Sequence, residues 1–335
     1  MTKESIEKEP PPIDKAAIDA SEEGSWLIYS ERPHIVSAED FSNTVELMLG
    51  QMEEHGTHLD LRSLRLILLT PALHDRVKDW QRQLGTPEAG VSQQEEGVVG
   101  GKTMCWGKDR NSVRTIILLD DVLAAAAVLE APTAISTVAH EFGHVTDYFQ
   151  RRMLYGFSMS ENHPMNDDWP GICREAADSI WSEYAAESAA SRFMSKQETE
   201  EFRENDVRYL TGIDARVRQS VSQFKAGQID RGALWNSSVT NIFDLFTNLG
   251  RAAARVSSEE SGSAAGAKLA GEDATAVWAP VIEKLLGELR ALRSKRYEDW
   301  SLEPFAGLEK TVELGFHTMG LIPDYDGIGL RLRVV

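Results

Sequence analysis

The chain has 335 residues, of which 42% are hydrophobic and 26% charged, which is enough to bury the core of one large domain or two modest ones. A formal net charge of −18 sets it against polyanions, so neither nucleic acid nor an anionic membrane surface is an expected partner. The N-terminal stretch lacks the apolar centre of a signal peptide and no apolar run is long enough to span a bilayer, which points to a cytoplasmic protein. Cys105 and Cys173 have no metal-ligand spacing and are expected as buried free thiols.

Residues 1–24 are rich in Glu, Lys and Pro, with Pro10-Pro11-Pro12 in the middle, and read as a disordered tail. Trp26–Tyr29 is a short apolar piece able to dock on a core. Ser37, three residues before Asp40, predicts an N-cap, and Phe41, Val45, Met48, Leu49 and Met52 then recur at helical spacing. Leu64–Leu69 predicts a strand ended by Thr70-Pro71, followed by a helix carrying Leu73, Val77, Trp80 and Leu84 that stops at Gly85.

Residues 85–100 read as an exposed loop. Lys102–Trp106 and Val113–Leu119 predict a strand hairpin across the turn at 107–111. The alanine-rich Val122–Leu129 predicts a helix. Pro132 suits the first turn of the next one, whose apolar positions are Ile135, Val138, Phe142, Val145 and Phe149. A polar loop containing Asn162, His163, Asp167, Asp168 and Pro170 follows. From Ile172 a helical pattern runs through Trp181, Tyr184 and Phe193. Beyond 196 the sequence is mostly helix-forming, including Val239–Val256 and Thr275–Leu292 on either side of a Ser/Gly/Ala/Glu linker at 257–272. Ile328–Val335 predicts a closing strand.

Within the helix that begins near Pro132 stands His140-Glu141-Phe142-Gly143-His144. Residues four apart share a helix face, so both imidazoles can reach one metal ion. The residue after the first histidine lies about 100° around the axis, which lets Glu141 hold a metal-bound water without ligating the metal. Gly143 costs about 1 kcal/mol relative to alanine in a helix, which implies that a neighbour needs its space. A catalytic zinc takes three protein ligands and keeps one position open. Asp147 and Gln150 occupy the places where a three-histidine site needs Gly and His, so the third ligand must come from elsewhere. Glu183-Tyr184-Ala185-Ala186-Glu187 supplies two carboxylates on one helix face, with Ala186, Ala189 and Ala190 leaving room for close packing. Glu183 is the preferred ligand and Glu187 the alternative. Glu175 and Asp178 read as a solvated face, and His163 as an exposed loop histidine.

These two helices resemble the gluzincin zinc metallopeptidases, whose second helix reads E-x-x-A-D/N-x-x-A. They include the membrane-embedded heat-shock and CAAX-processing type and the soluble type acting in phage-repressor and radiation-response control. The resemblance covers residues 113–195. It implies His140, His144 and Glu183 as ligands of one Zn2+, Glu141 as the general base on a zinc-activated water, and Glu187 as a partner of a ligand histidine, where the family has aspartate or asparagine. Tyr148, Tyr155, His163 and His317 are open as oxyanion donors.

The expected fold is α+β: a zincin-like core over 25–195, with a small sheet, the motif helix and the third-ligand helix, then a mostly helical region over 196–335. The expected function is hydrolysis of peptide bonds in a protein or peptide substrate, with the strand at 113–119 pairing an extended chain at its edge. The alternative is a zincin-fold binding or regulatory protein without proteolytic activity.

Overall fold

Leu64–Thr70 (β2) is buried at every position, and the first of two compact units assembles around it. The computed structural model describes residues 15–86, 88, 100–107, 112–155, 169–257, 276–301, 303–325 and 330–335. The fold is α+β, mostly helical, with a small mixed sheet. One unit comprises Met1–Phe157 and Ser188–Ser195, the other Ser158–Glu187 and Lys196–Val335.

In the first unit β1 (Leu27–Ser30), β2, β3 (Gly101–Trp106) and β4 (Arg114–Asp120) form a sheet in the order β1-β2-β4-β3. β1, β2 and β4 are parallel, and β3 is antiparallel to β4. A continuous apolar strand suits a sheet covered on both faces. Leu64, Ile67, Leu69, Ile117 and Leu119 pack with Phe41, Val45 and Met48 of α2 (Ala38–Glu54) and with Val138, Phe142 and Val145 of α5 (Pro132–Tyr155). Leu66, Leu68, Ile116 and Leu118 pack on the opposite face with Leu73, Val77 and Trp80 of α3 (Leu73–Leu84). Helix α4 (Asp121–Val128) is capped by Asp120, whose carboxylate accepts from the backbone N–H groups of Val122 and Leu123.

Several expectations change here. The strand at 113–119 is β4, hydrogen-bonded to β2 on one side and β3 on the other, so it cannot take an extended peptide; β3 is the edge on that side of the sheet. Trp26–Tyr29 contributes a parallel strand, β1, beyond merely docking. Within the expected tail, Lys15–Asp19 is a short helix, α1, with Ile18 buried beside Leu73 and Trp80. Residues 1–14 of that tail lie outside the described residues, as do most of the 85–100 loop, the turn at 108–111, the loop at 156–168 and residues 258–272 of the linker. Pro170 belongs to helix α6 (Trp169–Ala190), where its missing N–H falls in the first turn and costs no hydrogen bond. Cys105 is half-buried, Cys173 is buried, and neither forms a disulfide; burial pushes the Cys173 thiol up to about 12, with Glu313 and Glu309 adding to the effect.

The second unit packs α6 with α7 (Lys196–Lys225), α8 (Arg231–Ser257), α9 (Ala279–Arg293), α10 (Ala306–Thr318) and the hairpin β5 (Leu321–Tyr325)–β6 (Leu330–Val334) around Ile180, Ile213, Phe246, Trp278, Leu285 and Phe316. Gly250 of α8 lies so close to α6 that a Cβ there would sit 2.6 Å from the Ile180 carbonyl oxygen. Gly250→Ala is therefore expected to destabilise the protein by about 1–3 kcal/mol through overpacking, although alanine is the better helix former by about 1 kcal/mol. Urea denaturation followed by circular dichroism measures it, and a stabilised variant would contradict the close approach.

Candidate metal centre

Helix α5 carries the motif on a face opposite its core residues. His140, Glu141 and His144 are each less than 10% exposed, and Phe142 and Val145 between and beside them are fully buried. The two imidazole centroids are 4.7 Å apart and nearly perpendicular, so one helical turn brings both rings to one place. Tyr148, one turn further, stacks on His144 at 5.5 Å. Asp147 and Gln150, whose presence excluded a three-histidine site, have structural partners instead. Asp147 forms a buried ion pair with Arg151, and Gln150 donates to Asp60.

His140, His144 and Glu183 each offer a ligand atom, and these atoms lie within 4.8 Å of one another. Two imidazole nitrogens and one carboxylate oxygen, largely buried, make a group that could hold a metal ion. Glu183 sits on α6, which continues past Glu187 so that Ala189 and Ala190 enter the same core cluster as Ala139, Phe142 and Val145 of α5. Small residues there let helix and core approach closely, in keeping with the alanine spacing in the sequence.

Glu141 is held from the sheet. Thr103 of β3 places its hydroxyl 2.6 Å from Glu141 Oε2 and 3.1 Å from the Glu141 main-chain oxygen. Its one proton serves the shorter, charge-assisted bond to the carboxylate. Gly101, two residues earlier on the same strand face, has no side chain because a Cβ would lie 2.8 Å from Glu141 Cγ and 2.9 Å from Oε1. At the far end of this hairpin, Arg152 of α5 donates to the Gly107 carbonyl, so helix and edge strand are tied at two places. Sequence reading missed both Gly101 and Thr103. A signal for Thr103 was its place on an expected strand, whereas Gly101 stands one residue before the expected start at Lys102.

Glu183 and Glu187 of α6 are each matched by an arginine of α8. Arg251 Nε donates to Glu183 Oε2 at 2.5 Å, and Arg255 Nε donates to Glu187 Oε1 at 2.6 Å. Arg255 Nη1 also reaches Asp206 of α7 at 2.8 Å, and the guanidinium lies over the Phe202 ring. Glu187 thus contributes to a buried ionic triad. Glu175 and Asp178 are half-buried, not a solvated face; burial, with Asp178 beside it, raises the Glu175 carboxyl above its usual range. His317 is exposed on α10. His163 and the side chain of Tyr155 lie outside the described residues.

Two carboxylates share one guanidinium in the triad, an excess of negative charge that the nearby Arg251 offsets in part. Burial pushes the Asp206 carboxyl up to about 6 against the pull of Arg255, with Glu187 adding to the rise. Between about pH 4 and 6 the folded protein therefore holds a proton that the unfolded chain has released, and this contribution to stability declines as pH rises through that window. Replacing Asp206 by Asn removes the term. The stability difference between wild type and Asp206→Asn should shift against the wild type from pH 4 to pH 6 and level off above 7, as read by urea denaturation at each pH; a difference independent of pH would refute the shift.

No protein-family model matches the chain, and no curated protein or solved structure matches it either. The chemistry of the site is read from its own residues.

Proposed function

We propose that the chain is a zinc metallopeptidase of the gluzincin type, hydrolysing peptide bonds in a protein or peptide substrate. The observation that carries this reading is the gathering of His140, His144 and Glu183, with Glu141, buried and hydrogen-bonded to Thr103, next in sequence to His140. Two imidazoles and a carboxylate suit several divalent transition metals. Glu141, next in sequence to one ligand and one helical position off the ligand face, is what favours hydrolysis among their chemistries.

Zinc bound by these three side chains supplies a Lewis acid that acidifies water and polarises a carbonyl. The protein's own groups do the rest. His140 and His144 present imidazole nitrogens from a buried stretch of α5. Glu141 accepts the proton of the attacking water and returns it to the leaving amine. Thr103 holds one oxygen of that carboxylate and the absent side chain at Gly101 leaves room for the other, which together limit its rotation. The outer edge of β3 is the natural place for an extended substrate strand, because among the described residues no strand pairs with it on that side.

The test is metal content and Glu141-dependent cleavage. Purified wild-type protein and Glu141→Gln are each expected to hold one zinc per chain. Cleavage of an unfolded polypeptide should fall by about 10²- to 10⁴-fold in the variant. Zinc without Glu141-dependent cleavage would favour a binding or regulatory protein built on the same site. Protein that takes up no metal would sink both.

A further inference from the structure

The geometry points to Arg251 as a positioning residue for the third metal ligand, with α8 serving as the element that aims Glu183. This rests on the metal site proposed above and deepens it. Glu183 and Glu187 are four residues apart on α6, and Arg251 and Arg255 are four residues apart on α8. Each glutamate accepts from the Nε of its own arginine, so the two helices meet as a two-rung ladder.

The register of the ladder is set by packing. Gly250, immediately before Arg251, lies against the Ile180 carbonyl, and Ala252, Ala253 and Ala254 between the two arginines are buried. Any larger side chain at Gly250 would lift α8 away and pull both arginines out of reach. The lower rung is immobilised further, because Arg255 is also held by Asp206 and covered by Phe202. Arg255 thereby acts as a fixed post one helical turn from Arg251.

The upper rung is the one that touches the metal site. Arg251 Nε donates to Oε2 of Glu183, so the guanidinium restricts the rotation of the one carboxylate in the metal-capable group. Arginine suits this task better than lysine, since its planar group fixes direction as well as charge. An isolated surface ion pair has no such geometric consequence, and the exposure of Arg251, about a third of its side chain, means that it can be changed without opening the core. Partners that orient ligands in this way tune metal affinity strongly.

Full-length wild type, Arg251→Met and Arg251→Lys would be compared by competition with a chromophoric zinc chelator. Cobalt(II) loading of the same proteins would report ligand geometry through its visible spectrum, and thermal midpoints of the metal-free proteins would report folding. Arg251→Met is expected to weaken zinc binding by about 10- to 100-fold and to alter the cobalt spectrum, with Arg251→Lys recovering part of the loss. If Arg251→Met does not fold, the lysine variant carries the test, through weaker zinc binding at an unchanged midpoint. Wild-type binding with undiminished affinity in a folded variant would overturn the positioning role and leave the metal site standing. A gain in affinity would also overturn it, by making Arg251 a competitor of the metal for Glu183. Failure of the wild type itself to bind zinc would remove the metal site and this role together.

Discussion

The carboxylate of Glu141 is the constraint on which the first unit turns. A carboxylate in a helix face that is 6% exposed costs several kcal/mol unless a donor meets it. Thr103 provides that donor, and it can do so only from a strand lying directly against α5. That strand can come so close only because Gly101 carries no Cβ. The placement of β3 at the sheet edge, its antiparallel direction and the hairpin before the motif helix all serve this one contact. The opposite face of α5 supplies the anchoring, through Val138, Phe142 and Val145 in the core shared with β2 and β4.

Such an arrangement separates two tasks on a single helix. The apolar stripe is buried and rigid, which holds the backbone of His140, Glu141 and His144 in place. The polar stripe is almost as buried, which raises the strength of every electrostatic interaction made there. Precision at a site built on a core helix exceeds what a loop can offer. The ties of Arg152 to Gly107 and of Asp60 to Thr146 and Gln150 fix the remaining flanks of α5 by hydrogen bonds from neighbouring connections.

Much of the first unit is legible in local pattern. The motif helix, the strand at Leu64, the β3–β4 hairpin, the cap at Ser37 and the stop at Gly85 are each written in a few adjacent residues, because the physics that makes them is local. Strand order is not local, and that is why Val113–Leu119 reads as an edge when it is interior. β1 is only four residues long and ends in a serine, too short for its alternation to register. β5 contains Pro323 and Asp324, which argue against a strand except in a two-stranded hairpin where an edge tolerates a missing N–H. His140, Glu141, His144 and Glu183 are legible because their chemistry and helical spacing coincide. Arg251, Arg255 and Asp206 are not, since charges on a long helix normally mean a wet face. Only the match of two four-residue spacings, with a glycine at the crossing, marks them as a pair of rungs, and that match joins residues 68 apart.

The ionic ladder also has a different physical standing from the cores. Buried ion pairs seldom add net stability over apolar packing, because desolvation offsets most of the Coulombic gain. The second unit already has a large apolar cluster from Trp169 to Leu332, which accounts for its cohesion without the charges. What the apolar cluster cannot do is choose among helix rotations and slides that differ little in buried area. A guanidinium joined to a carboxylate through a directed bond does choose, since a slide of one residue would leave the buried Arg255 and Glu187 unpaired. Two such bonds one turn apart fix both rotation and axial position of α6. The residues whose orientation benefits are Glu183 and Glu187, so the ladder lies where specificity of geometry matters most and where stability alone would have favoured leucine.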